Sequence, residues 1–231
     1  MTHTTPHAVR PSSGQPLIGF NGWFWTQNRT GSGQYLQQLV ETLHRMPDGV
    51  QTIVYVSAMH SLAAGAAHAE ATVVPLATPF DRLNENLTKL WFEQIAVPRA
   101  CRRDGVDILH VPYWATPAMC AAPVVTTVHD VIPIVLPDYR KSIPVTLYTR
   151  FVTWTMRRST LVLADSFASG KDILHTAGLP ASRLRVVHLA VGPQYQPVQD
   201  EQLLSATREK YGLPSRFVLY LGGFDPRKNV S

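Results

Sequence analysis

Short apolar runs rich in β-branched residues recur along this chain, and helical periodicity fills most of the intervals between them. The runs lie at 17–20, 52–56, 72–76, 108–111, 124–128, 161–164, 184–189 and 217–221. A strand covered on both faces reads as a continuous apolar run, and parallel strands need a crossover segment between them. The crossovers are supplied here. Tyr35, Leu36, Leu39, Val40 and Leu43 repeat at the spacing of one buried helix face. A second helix is predicted over 87–100, with Leu90, Trp91, Ile95 and Val97 on its packed side and Pro98 limiting its last turns. Further helices are predicted over 142–158, over 167–175 after a Ser166 cap, and over 202–211. The Ala-rich stretch 58–69 suits a short helix. This rhythm predicts an α/β fold: a parallel sheet with helices on both faces.

Composition narrows the rest. A chain of 231 residues with 45% hydrophobic content supports a large domain and part of another. A formal charge of +5 and a pI near 9.4 favour acidic partners. The Lys and Arg residues are scattered rather than gathered in the stripe that nucleic acid requires, so no nucleic-acid partner is expected. Cys101 and Cys120 have no CxxC spacing and read as reduced thiols. No apolar run approaches membrane-spanning length and 1–16 lacks the apolar core of a signal peptide, which makes the cytoplasm the expected location. The expected domain plan is a disordered tail at 1–16, a main domain at 17–191, a Gly-Pro-Gln-Pro linker at 192–200, and the start of a second domain at 201–231.

In an open parallel sheet, ligands gather outside the carboxyl ends of the strands. His110, His129 and Asp130 all follow such ends. His129 reads as functional and His110 as a hydrogen-bonded structural residue. Asp130 could take a substrate hydrogen bond or bind its own backbone. Gly31 and Gly33 open the first helix after an aromatic loop and suit either phosphate contact or a plain helix start. Gly222 and Gly223 end the last apolar run and let the backbone approach a ligand, with Arg227 and Lys228 following as phosphate clamp or solvated pair. A metal site from His110, His129, Asp130 and His188 would have no recognised ligand spacing, and none is expected. Trp23 and Trp25 suit either a membrane surface or core packing.

TGSGQYLQQL at 30–39, WFEQIAVPR at 91–99, DILHVPYW at 107–114, TTVHDVIPI at 126–134, ADSFASGKDIL at 164–174, VVHLAVGPQYQP at 186–197 and LYLGGFDPRKNV at 219–230 occur in that order. Together they resemble the retaining glycosyltransferases of family 4 with the GT-B fold, a group that contains bacterial mannosyltransferases. The resemblance implies two Rossmann-like domains facing a cleft, an acceptor-side domain followed here by only the first helix and strand of the donor-binding one. It implies that Arg227 and Lys228 contact the donor diphosphate, that Gly31 and Gly33 lie near the donor, and that His129 lies near the transferred sugar. Asp130 and Gly223 join them as expected substrate-binding residues. The implied activity moves a hexose, with mannose expected, from a nucleotide-diphosphate sugar to a glycan or lipid-linked acceptor in cell-surface polysaccharide or lipopolysaccharide assembly. No metal or other cofactor is implied, since cations on the protein meet the departing phosphate. The later acidic donor motif has no counterpart in this sequence, so the isolated chain is expected to be an inactive fragment. Contact with an anionic membrane at its inner face is a further expectation. The alternative is a Rossmann-like module that binds a glycan or nucleotide without turnover.

Overall fold

A computed structural model describes residues 14–47, 49–60, 71–136, 139, 142–192, 194–225 and 228–230. The chain forms two compact units, Met1–Leu189 and Ala190–Ser231. The first contains seven strands: β1 (Leu17–Asn21), β2 (Gln51–Ser57), β3 (Thr72–Leu76), β4 (Ile108–Val111), β5 (Val124–Val128), β6 (Leu161–Ala164) and β7 (Leu184–Val186). They form one sheet in the order β3-β2-β1-β4-β5-β6-β7. Every neighbouring pair is parallel. The order reverses at β1, so the crevice at its carboxyl end, shared with β4, is where such a sheet offers a ligand site.

The helices between the strands are α1 (Gly31–Arg45), α2 (Glu85–Trp91), α3 (Val97–Asp104), α4 (Ile132–Val135), α5 (Ile143–Met156) and α6 (Phe167–Ala177). Alternate residues of a strand point to opposite faces. Accordingly Ile53 and Tyr55 of β2 join a cluster with Trp23, Phe92, Leu109 and Tyr113, while Val54 and Val56 join Phe20, Trp25, Leu36 and Val40. Both faces of the sheet are therefore buried. A third cluster, around Val128, Met156, Val162 and Ile173, fills the β5–β6 side. Trp23 and Trp25 are 3% and 1% exposed, which settles their alternatives for core packing and removes them from any membrane surface.

Some predicted boundaries move. The helix expected to weaken at Pro98 runs on to Asp104, ending at Gly105 in the left-handed region with φ 66°. It passes the proline through a π-helical turn at Phe92–Ala96, in which the Val97 N–H bonds to the Phe92 carbonyl five residues back. Widened turns of this kind accommodate an interruption in the regular ladder and often sit at functional sites. The expected strand at 184–189 is paired only over Leu184–Val186. At 58–60 the chain makes a 3₁₀ turn, and the remainder of the predicted 58–69 helix lies outside the described residues, as does most of the predicted tail.

The second unit contains helix α7 (Glu201–Tyr211), capped by Asp200, whose carboxylate accepts from the Gln202 and Leu203 N–H groups. The strand expected at 217–221 is not formed: Val218 is 98% and Leu221 85% exposed, and the segment has no ladder partner among the described residues. An apolar run becomes a strand only when a neighbouring strand takes its N–H and C=O groups.

Candidate active site

At the carboxyl end of β5 the chain leaves the sheet through His129, and at the end of β6 through Asp165. Because β5 and β6 are adjacent with Val128 opposite Ala164, the two exits place a histidine beside a carboxylate. His129 Nδ1 lies 2.7 Å from Asp165 Oδ2, and Nε2 lies 3.2 Å from the Pro112 carbonyl oxygen in the loop after β4. Both side chains are partly open to solvent, 25% for His129 and 20% for Asp165. Only a doubly protonated ring donates to both acceptors at once, and the neutral ring makes one of the two bonds. The His129 backbone carbonyl accepts from the Ser169 hydroxyl, and Ser166 caps the same helix, α6, by accepting from the Ser169 N–H. His188 adds a contact from the β7 side, its Nδ1 lying 3.1 Å from the Asp165 carbonyl oxygen.

Beneath His129 is a second layer. Tyr35, one turn into α1, presents its ring edge-on to His129 at 5.0 Å. Its hydroxyl is 3.0 Å from Thr127 Oγ1, which is also 2.9 Å from His110 Nε2. His110 stacks on Phe20 and is 8% exposed. Burial, and after it the neighbouring His129, lowers the His110 pKa to about 4. Burial likewise raises the Tyr35 phenol, with Asp165 adding to it against the Thr127 hydrogen bond. His110 is thus a neutral, buried support.

That assignment carries a pH dependence. His110 has a folded-state pKa of about 4, below the roughly 6.5 of an exposed histidine, so the unfolded chain holds more protons between those values. Stability from this residue is therefore complete above about pH 7 and lost as pH falls toward 4, about 3 kcal/mol over the interval. His110→Asn is expected to flatten the slope of unfolding free energy against pH between 6.5 and 4, measured by urea melts. An unchanged slope would place the acid sensitivity elsewhere.

The other expected residues divide. Thr30 caps α1, its hydroxyl accepting from the Gly33 N–H at 3.1 Å. Gly31, at the first helical position, is open: a Cβ there would meet nothing within 4 Å. Gly33 is packed against the preceding loop, since a Cβ would fall 2.3 Å from the Gln27 carbonyl oxygen and 2.8 Å from that of Phe24. Asp130 turns back on its own chain, accepting from the Ile132 N–H at 3.1 Å, which is the local backbone role. In the second unit, Gly223 is exposed and its carbonyl accepts from Tyr220. Lys228 is exposed, its backbone N–H bonding to the Asp225 carbonyl. Arg227 lies outside the described residues. His110, His129, Asp130 and His188 do not converge, and among the described residues no group of three His, Cys, Asp or Glu could hold a metal ion.

One polar constellation was not foreseen. Glu93, in the π-helical turn, is fully buried. Lys89 Nζ approaches its Oε1 at 2.8 Å, Tyr113 donates to Oε1 at 2.9 Å, and Tyr148 of α5 donates to Oε2 at 3.0 Å. The Lys89 ammonium also lies 4.9 Å, 5.2 Å and 5.9 Å from the ring centres of Tyr148, Tyr113 and Phe24. The Tyr113 hydroxyl is 3.0 Å from Asn21 Oδ1 at the last position of β1, so this cluster floors the β1–β4 crevice. Burial first, and the Glu93 charge second, raise both tyrosine pKa values. The signal in the sequence was the WFEQIAVPR stretch, but nothing in it told a buried glutamate from a solvated one.

Comparison with known proteins fits this geometry. The chain is similar in fold to HepE of Anabaena solved with UDP and glucose, at 14% identity and a TM-score of 0.53, covering 86% of this chain and 50% of that one. It is similar also to the lipopolysaccharide outer core galactosyltransferase WaaB in its apo form, at 11% identity and a TM-score of 0.52, covering 76% of this chain and 46% of that one. The chain thus spans about half the length of these structures. A search of curated proteins finds no match. The family model Glycosyltransferase Family 4 matches residues 29–195, which include the β1–β4 crevice floor from Lys89 onward, His129 and Asp165. With well over half of its length matched and a parallel sheet of the GT-B type beneath it, the chain belongs to Glycosyltransferase Family 4.

Proposed function

We propose that this chain supplies the acceptor-side domain of a retaining GT-B glycosyltransferase that moves a hexose from a nucleotide-diphosphate sugar to a glycan or lipid-linked acceptor. The observation that carries the reading is the His129–Asp165 pair at the carboxyl edge of a Family 4 fold. A neighbour in fold, HepE, was solved with UDP and glucose, and another, WaaB, is a lipopolysaccharide galactosyltransferase. The first supports a nucleotide-sugar donor and the second supports sugar transfer. Mannose as the sugar and cell-surface polysaccharide as the product rest on the motif resemblance, and the cytoplasmic side of a membrane as the place of action rests on the apolar pattern and basic balance of the sequence.

The chemistry matches the residue types. Breaking a sugar–diphosphate bond builds negative charge on the leaving phosphate and positive character on the ring. Arg227 and Lys228 would meet that phosphate, the guanidinium gripping two oxygens and the ammonium acting as a movable point charge. His129, oriented by Asp165, would hydrogen-bond the sugar or the incoming hydroxyl. Retention would proceed by attack on the face the phosphate leaves, since among the described residues the carboxylates of the site are engaged, Asp165 with His129 and Asp130 with its own backbone.

The test uses the protein expressed from its complete coding sequence, supplied with UDP- and GDP-hexoses and a membrane-extract acceptor. Hexose transfer with nucleoside diphosphate release is expected, and turnover should persist in EDTA. Activity abolished by EDTA and restored by magnesium or manganese would overturn the metal-free mechanism. Donor binding with no transfer to any acceptor would favour the non-catalytic module.

A further inference from the structure

Cys101 lies on the buried face of α3 with Val97 and Ala100 and is 1% exposed. Cys120 lies in the loop between β4 and β5, next to Met119, whose side chain stands in solvent. Spacing along the chain keeps the two cysteines apart, and the fold brings them together. Cys120 packs, half-buried, against the core cluster that contains Cys101, and the Cys101 thiol donates a hydrogen bond to the Cys120 sulfur. The backbone N–H groups of Ala121 and Ala122 bond to the same sulfur. Three donors thus converge on one atom, an arrangement that holds a thiolate. The bond from Cys101, helped by the two N–H groups and opposed by burial, lowers the Cys120 pKa to about 7. The same bond, and after it burial, raises that of Cys101 and keeps it a thiol.

Access to the pair is one-sided. Cys120 opens onto a groove of about 430 Å³ lined by 117–124 with Arg158 and Thr160, and no acidic side chain is among those lining residues. A reactive cysteine is a partly open thiolate in positive surroundings, and a buried thiol is inert toward solutes. Here one of each is in contact, the relation of an oxidisable cysteine to its resolving partner. We propose that Cys120 and Cys101 form an oxidation site for hydroperoxides, with Cys120 as the attacking thiolate, Cys101 as the resolving thiol and an intramolecular disulfide as the product. In the first step the Cys120 sulfur attacks one peroxide oxygen. The S–O bond forms, the O–O bond breaks, and the other oxygen leaves as hydroxide or alkoxide and takes a proton from water. In the second step the Cys101 sulfur attacks the Cys120 sulfenic acid. The S–S bond forms, the S–O bond breaks, and the departing hydroxide leaves as water with the Cys101 proton. Two electrons pass from the two thiols to the peroxide. A disulfide needs its Cβ atoms about 4 Å apart, and side chains already in hydrogen-bond contact leave the loop little distance to close. The loop already meets the helical run through Gln94, which accepts from the Ala118 N–H at 2.8 Å and donates to the Thr116 carbonyl at 3.3 Å. The disulfide would add a second tie between that loop and the run that carries Glu93.

The test treats the folded 231-residue chain with hydrogen peroxide in slight excess at neutral pH, removes the peroxide, caps the remaining thiols with N-ethylmaleimide in urea and reads the mass. Loss of two hydrogen atoms with no added oxygen is expected, in a chain that stays monomeric, and dithiothreitol should restore both thiols. Trypsin cleavage after Arg99, Arg102 and Arg103 puts the cysteines in separate peptides, 100–102 and 104–140, which should be recovered joined. In Cys101→Ala the sulfenic acid on Cys120 has no partner and should be trapped by dimedone. In Cys120→Ala, Cys101 should oxidise at least about tenfold more slowly than Cys120 does in Cys101→Ala. Melts by circular dichroism check that each variant is folded. A variant that melts early is replaced by its serine counterpart, and the joined peptides of the parent chain are read without any substitution. Both thiols still capped after peroxide, oxidation confined to methionine, a disulfide between two chains as the main product, or Cys101 reacting as fast as Cys120 would each overturn the proposal.

Discussion

Glu93→Ala should lower the unfolding free energy by about 3 kcal/mol, the lower end of what removing one partner of a buried ion pair costs. The lower end applies because Lys89 keeps 23% of its side chain in solvent, where water can replace part of the lost contact. The loss is larger than a surface pair would give for a structural reason. Glu93 is the shared acceptor of Lys89, Tyr113 and Tyr148, so its removal takes the counter-charge from a half-buried ammonium and leaves the three donors with only Asn21 Oδ1 and the Tyr148 hydroxyl as acceptors. For a domain of this size that is a fall of about 10 °C in Tm. Glu93→Gln keeps the shape and part of the bonding and should cost about half as much. Combining Lys89→Met with Glu93→Gln should recover stability relative to the sum of the single changes, which a double-mutant cycle reads directly. A change within about 0.5 kcal/mol for Glu93→Ala would mean the carboxylate is dispensable to the fold.

The second large effect is on turnover. In the protein expressed from its complete coding sequence, His129→Ala should reduce kcat by roughly 10²- to 10⁴-fold, the range for losing a side chain that moves or holds a proton at the reacting centre. Stability should change little, because the ring is partly exposed and its loss opens no sealed cavity. Asp165→Asn should act more gently, about tenfold, since the amide keeps a hydrogen-bonding group near Nδ1 but no longer a charge. Asp165 is a positioning residue in this reading, so its variant should shift the pH profile of kcat as well as its height. The opposing outcome is a His129→Ala protein that melts much earlier while its folded fraction turns over normally. That would make the histidine a packing residue.

How much of this could be read from the sequence depends on the kind of interaction. The parallel sheet was legible because its strands are buried on both faces, and continuous runs such as VVTTV leave a one-dimensional trace. His129 was legible because a polar residue following such a run must stand at a strand end. The place of Asp165 beside it was not, although Asp165 follows a run in the same way, because the pairing comes from β5 and β6 being neighbours, and lateral order is invisible along the chain. Glu93 was hidden for a related reason: Lys89 at i−4 makes it look like an ordinary surface helix pair, and only the approach of Tyr113 and Tyr148 from distant segments buries it. At 217–221 the pattern said strand and the structure shows none. Propensity there describes what the residues would do beside a partner strand.

The two ends of the sheet have a consequence for how the molecule behaves among copies of itself. β3 forms one margin and carries Pro75, opposite Val56, on its exposed side. A proline has no N–H to offer, so an incoming strand would find a gap in the row of donors. At the other margin β7 is three residues long and places Arg185 in solvent, too short to template an extension and charged at its centre. A seven-stranded parallel sheet with open, regular borders would be a standing invitation to lateral polymerisation. Here the described borders carry a proline at one side and a short strand with a charged centre at the other, two features that oppose the edge-to-edge joining of sheets.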